Sequence, residues 1–392
     1  MPLFTRRDRT DPAPARQSEP LAAFLDRVDS DYFGRVRHVL DAWFDRLAED
    51  VQPDLRARLC SSDNNEFLAA FWEVYLHEVL ARAGFCLTPH PAVPGFTTKP
   101  DYLVCSEDGA FYLEATVTRP SAAAMSAERR EDVVHDLLQQ VHSPDFFLDV
   151  YVDQQESDSP PVRSLRRQVE RWLATLDADS IITATTGNDQ RTLPTRQFTC
   201  GHWRFTLRAL PKKPATRGDP CHRPVGMWGS GHAVWLNERD PLLDALNRKA
   251  SRYGALSHPY LIAVLDLGEY PPDRSALEDA LYHPLPPGLH PAPQLPKNVD
   301  GFWAGRRGPR NSAVSAVLTA WSLRPWDVCR NTPLLWCNPT PQRPLRVQLP
   351  WRASRYDSSH HPQRQIDSPD AIHTFLGLAP DWPGPGRPFA KE

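Results

Sequence analysis

One helix constrains this chain more than any other segment. Residues 65–83 carry Phe67, Leu68, Phe71, Trp72, Val74, Leu76, Val79 and Leu80, so apolar side chains point nearly all the way round. A helix of that kind is buried on most sides. Other parts of the chain must therefore enclose it. Ser61-Ser62-Asp63-Asn64-Asn65 before it is a helix-start pattern, and Gly84 after it is a stop.

What encloses this helix follows in the chain. Phe85-Cys86-Leu87 begins an extended segment. Lys99 to Cys105 and Ala110 to Thr118 read as two strands joined by the Ser-Glu-Asp-Gly turn at 106–109, hence a hairpin. A helix is predicted at about 241–254. Pro259 to Asp266 is a continuous apolar run, which suits a strand covered on both faces. Between these pieces, 126–142 and 162–176 read as helices, Phe146–Val152 and Trp203–Arg208 as strands, and 211–232 as loop. The expected class is α/β with a mixed central sheet. Residues 1–19 are expected to be disordered and 20–60 to form an N-terminal helical layer. The core spans 61–267 with a large insertion at about 120–235. Residues 268–392 read as a Pro-rich C-terminal extension with a few strands, its last forty residues peripheral.

Composition limits the setting. The formal net charge is −3, so a nucleic-acid partner needs a local basic patch. There is no run of about eighteen apolar residues, so no membrane span is expected. The start of the chain lacks the apolar stretch of a signal peptide. Seven cysteines without framework spacing suit reduced thiols in a cytoplasm. Lysine occurs only six times, at 99, 212, 213, 249, 297 and 391, so a lysine in a special position carries information.

The acidic residues form a pattern. Glu73 lies on the apolar helix, within helical reach of Glu66 and His77. A charge there is expensive unless paired or bound to metal. Asp101 opens the second strand. Glu114 lies in the third, on one face with Thr116, and the hairpin brings Asp101 and Glu114 together. Such carboxylates suit a hard divalent cation, which can polarise a phosphate and supply hydroxide near neutral pH. Helix, three strands, helix, strand with Pro100-Asp101 and Glu114-Ala115-Thr116 resembles the PD-(D/E)XK, restriction-endonuclease-like nucleases and their αβββαβ core. The resemblance covers about 65–118 and 240–267. It implies a Mg²⁺- or Mn²⁺-dependent nuclease acting on nucleic acid, with DNA the expected substrate. Asp101 and Glu114 would hold the metal and Glu73 would assist. By analogy of fold it implies bacterial restriction or phage defence, with a homodimer or a defence-system protein as partner.

Thr116 departs from the pattern, which has Lys there. The resemblance allows the lysine to move to the next core helix, where Lys249 stands; Lys99 is the rival. If neither reaches the acids, the chain becomes a catalytically inactive nuclease-fold protein that binds nucleic acid or acts as a scaffold. Trp303, Arg306, Arg307 and Arg310 mix cations with an aromatic ring, as a nucleic-acid-binding segment does, and equally as a solvated loop does. Cys200, His202, Cys221 and His222 lack finger spacing, so zinc is a minor alternative. There is no Gly-x-Ser-x-Gly and no Gly-rich phosphate loop.

Overall fold

A computed structural model describes residues 2–118, 122–156, 162–184, 192–218, 223–230, 239–254, 256–268, 274–282, 300–305, 307–355, 364–366 and 370–385. The chain divides into two compact units. The larger holds residues 1–14, 20–119 and 237–392, and the smaller holds 15–19 and 120–236.

The larger unit opens with α1 (Leu21–Arg27), α2 (Asp31–Phe44), α3 (Gln52–Leu59) and α4 (Asn64–Arg82). Helix α4 begins where Asp63 Oδ1 accepts the Asn65 N–H at 2.8 Å, closing one of the open donors of the first turn. It ends at Gly84, whose φ of 89° favours a residue without Cβ. Its apolar residues are buried, among them Phe71, Trp72, Tyr75 and Leu80. Glu78, 1% exposed, is held by Arg46 and Arg82.

Three strands follow: β1 (Cys86–Pro89), β2 (Tyr102–Ser106) and β3 (Gly109–Val117). They pair antiparallel in sequence order, with Tyr102 opposite Leu113. The smaller unit comes next, with α5 (Ala122–Leu138), β4 (Phe146–Gln154), α6 (Val162–Leu173), α7 (Ala178–Ala184), β5 (Thr195–Cys200), β6 (Trp203–Pro211) and β7 (Val225–Ser230). Its sheet runs β5-β6-β4-β7. Leu165, Val169 and Trp172 of α6 share its core with Val150, Phe205 and Leu207.

The chain then supplies α8 (Arg239–Ala250), β8 (Tyr260–Asp266), α9 (Arg274–Tyr282), β9 (Ala304–Gly305), β10 (Gly308–Pro309), β11 (Ala316–Trp321), β12 (Leu334–Cys337), β13 (Arg352–Arg355), β14 (Arg364–Ile366) and α10 (Ile372–Leu376). The main sheet has eight strands in the order β1-β2-β3-β8-β11-β12-β13-β14. Strand β8 lies parallel to both β3 and β11, so its two edges are paired and its side chains are buried on both faces. That explains its unbroken apolar run. Helix α8 packs Leu242 and Leu246 into one core with Tyr112, Ile262 and Val264. Across the chain, Trp72 donates Nε1–H to the Ala263 carbonyl at 3.1 Å.

Several elements differ from the sequence expectations. The region 211–232 is not all loop, because Val225–Ser230 pairs parallel with β4; its two glycines hide the strand signal. The first residues are not disordered: Phe4 is buried, Asp11 bridges Val28, and Asp26 accepts the Thr5 N–H. The C-terminal region is not peripheral, since β11 to β14 complete the main sheet and Trp382 is buried. Among the described residues no helix is long and apolar enough to cross a membrane.

Truncating Trp72 removes the largest ring of α4 and its bond to β8. We expect Trp72→Ala to destabilise the protein by about 3–5 kcal/mol, read as a lower urea midpoint at unchanged slope.

Candidate active site

Glu114 sits in the middle of β3 and is fully buried. Parallel pairing of β3 with β8 sets Glu114 beside Ile262 and Thr116 beside Val264, beneath α8. A carboxylate placed there requires partners, and the end of α8 provides them. Lys249 Nζ donates to Oε1 at 2.5 Å, Arg252 Nη1 to the same oxygen at 2.6 Å, and the Tyr253 hydroxyl to Oε2 at 2.9 Å. Burial and the adjacent Glu114 charge hold the Tyr253 phenol above its ordinary range. Asp240 in the first turn of α8 and Arg248 and Lys249 in the last match the helix dipole.

Asp101 immediately precedes β2, and its Oδ2 accepts the Ala115 N–H at 2.6 Å. Burial comes first in setting its acidity, followed by the charges of Glu114 and Glu73; together they push its pKa up to about 8 against the opposing pull of Lys249. Glu73 takes a two-pronged contact from Arg58 on α3, at 2.7 and 2.8 Å. That hydrogen-bonded contact raises the Arg58 guanidinium above its usual value. The cleft between these groups measures about 540 Å³, and Arg58, Glu73, Asp101, Thr116, Arg248 and Lys249 are on its wall.

The sequence candidates Glu73, Asp101, Thr116 and Lys249 thus meet at one cleft, with Glu114 bonded beneath it. Lys99 is exposed and does not line the cleft. His77, drawn below its ordinary pKa by burial, faces Tyr102 with ring centroids 5.9 Å apart, and it too is off the wall. Sequence reasoning missed Arg58, Arg252 and Tyr253. The last two lie just past the end of α8, where the chain turns back toward β3, and no helical spacing pointed to them. Arg58 carries no signal either.

The second set of candidates separates. Trp303 is 1% exposed and packs against Phe302 and Tyr282, so it is core and not a base-stacking platform. Arg310 pairs with Asp300 at 3.4 Å. Arg307 is exposed, and Arg306 lies outside the described residues. Cys200 is buried on β5 and His202 sits in the turn after it, while Cys221 and His222 lie outside the described residues.

Among the described residues no three His, Cys, Asp or Glu side chains stand together as a metal cluster. Of the acids, Glu73 and Asp101 line the cleft; both oxygens of Glu73 are engaged by Arg58, and Glu114 is fully buried beneath the wall with both oxygens bonded. One or two carboxylates completed by water is a set that Mg²⁺ accepts. A hard divalent cation would be held by Asp101 and would require Glu114 to give up part of its contact with Lys249, Arg252 and Tyr253. Compared with protein-family models, with curated proteins and with solved structures, the chain matches none.

Asp101 also makes stability depend on pH. Its folded pKa of about 8 lies above the ordinary 3.8, so between those values the folded state holds a proton that the unfolded state has released. Its contribution is therefore greatest below about pH 4 and falls as pH rises to about 8, with a limiting slope of about 1.4 kcal/mol per pH unit. We expect Asp101→Asn, assayed in EDTA, to flatten that decline and to be more stable than the wild type at pH 8. Equal pH profiles for the two proteins in thermal melts exclude this assignment.

Proposed function

We propose that the chain is a divalent-cation-dependent nuclease, built on a core of the restriction-endonuclease-like kind with its active-site lysine moved to α8. The observation that carries the reading is the Lys249 ammonium, 2.5 Å from Glu114 and on the wall of the cleft that Asp101 also lines. The order α4, β1, β2, β3, α8, β8, with β8 parallel to β3, supports it by following the αβββαβ pattern. Thr116 leaves the usual position without charge, and Lys249 supplies a charge from another direction.

The roles follow from the contacts. Asp101 and Glu114 would hold Mg²⁺ or Mn²⁺, which would supply positive charge to polarise a phosphate and ready a water for attack. Lys249, with a mobile stem and three donors, can turn from Glu114 to the water or to a phosphate oxygen. Arg248 and Arg252 offer guanidinium forks suited to the remaining phosphate oxygens. Arg58 engages both Glu73 oxygens and holds that carboxylate on the cleft wall. DNA is the first substrate to test, with RNA beside it because both present the same phosphodiester to this cleft.

The second reading, an inactive module that binds phosphate groups, is favoured by one observation: Glu114 already has three donors from its own chain. Cleavage of plasmid, linear and single-stranded DNA and of RNA, with Mg²⁺ or Mn²⁺, separates the two. We expect metal-dependent cleavage that falls at least about 100-fold in Asp101→Ala and Lys249→Met, the range for losing a charge aimed at the transition state. Folded wild-type protein that binds DNA and cleaves no substrate decides for the inactive module.

A further inference from the structure

A second cavity of about 320 Å³ opens in the larger unit, at the carboxyl ends of the parallel strands β8 and β11. Val264 and Asp266 reach it from β8, and Thr319 and Trp321, their register partners, reach it from β11. Ligands in open α/β sheets bind outside the carboxyl ends of parallel strands. This cavity is separate from the cleft, and α8 runs between them. Leu242 near the start of that helix lines the cavity, and Lys249, about 10 Å further along the axis, lines the cleft.

Its chemistry is graded from floor to mouth. Val264, Leu277 and the buried Trp336 make a largely apolar floor, with the Arg274 guanidinium 5.9 Å from the Trp336 ring centroid, and the half-exposed Trp321 makes an aromatic wall. The Asp266 carboxylate uses Oδ1 on the Thr118 hydroxyl and the Gly268 N–H, and among the described residues Oδ2 makes no hydrogen bond. The Asn331 side chain likewise makes none there, leaving a donor and an acceptor on one amide. Arg330 is exposed and forms no ion pair among the described residues.

We propose that this cavity binds a nucleoside monophosphate. A flat ring is needed to fill an apolar slot with an aromatic wall. That ring must carry N–H donors, because Asp266 can only accept; a simple aryl carboxylate has none to give. The amide of Asn331 reads an edge that presents both donors and acceptors. An anionic tail is needed at the mouth, where Arg330 stands, and a phosphate matches its fork. A nucleobase joined to a phosphate meets all three demands and is of the cavity's size. The inference is independent of what the cleft does, although α8 gives the two places a common wall.

The test is calorimetric titration of the full chain with AMP, GMP, CMP and UMP in EDTA, beside ribose 5-phosphate and inorganic phosphate. We expect at least one nucleotide to bind, and ribose 5-phosphate and phosphate to bind at least about tenfold more weakly. Arg330→Glu should weaken that nucleotide at least about tenfold, the range for losing a charged hydrogen bond. Thr332→Trp, which adds a ring at the exposed rim, should block it. Retention in either rim variant, equal binding of phosphate alone, or no binding of any nucleotide by the folded protein each overturns the proposal.

Discussion

The larger unit is organised around one buried charge. Glu114 lies at the centre of a strand whose neighbours are apolar, and it is fully buried. Removing such a carboxylate from water is expensive, and only close ionic partners offset the loss. Lys249 and Arg252 are 135 and 138 residues away in sequence, and the whole smaller unit lies between them and Glu114. The ion cluster therefore does what a covalent link would do. It fixes the end of α8 against β3 whatever is inserted between them, and the parallel pairing of β3 with β8 then follows at short range. Breaking one partner of a buried pair of this kind costs about 3–5 kcal/mol, so the same contacts that arrange the cleft also hold the sheet.

The cleft is balanced between two kinds of visitor. Arg58, Arg248, Lys249 and Arg252 face Glu73, Asp101 and Glu114, and near neutral pH Asp101 keeps its proton. Without a metal the site is net positive inside a chain of net charge −3. Such a cleft would attract a phosphate, although the chain's total charge offers no such pull. A divalent cation would face the opposite problem, since burial favours the protonated form of Asp101 and Glu114 already holds Lys249, Arg252 and Tyr253.

Much of this was visible in the sequence, for reasons that differ by residue. The apolar circumference of α4, the hairpin turn at 106–109 and the run at 260–266 are local patterns with strong physical causes, and the helix, hairpin and strand appear where those patterns stand. Lys249 was detectable because lysine is rare here and the segment lies just before a buried strand. Arg58 was not, because its role depends on how α3 meets α4, and arginine is common in this chain. Trp303 misled because an aromatic among arginines looks the same in a binding loop and in a core; only its burial against Tyr282 decides. Strand β7 was hidden because its pairing with β4 comes from tertiary context and overrides a weak local preference.

The C-terminal region shows how composition can conceal architecture. Proline-rich linkers dominate it, yet the short apolar pieces at 316–321 and 334–337 pair with each other, and the first pairs with β8. Without β11, β8 would be an edge strand with an open row of backbone groups, and its apolar side chains would be half exposed. The extension is therefore required by the core that precedes it. It also changes what the sheet can do. A third parallel strand beside β3 and β8 creates a second stretch of carboxyl ends, and Thr319 and Trp321 project there on the same face as Val264 and Asp266. The sheet face that carries Glu114 and Thr116 under one side of α8 continues, through the register of β3, β8 and β11, to this second cavity on the other side.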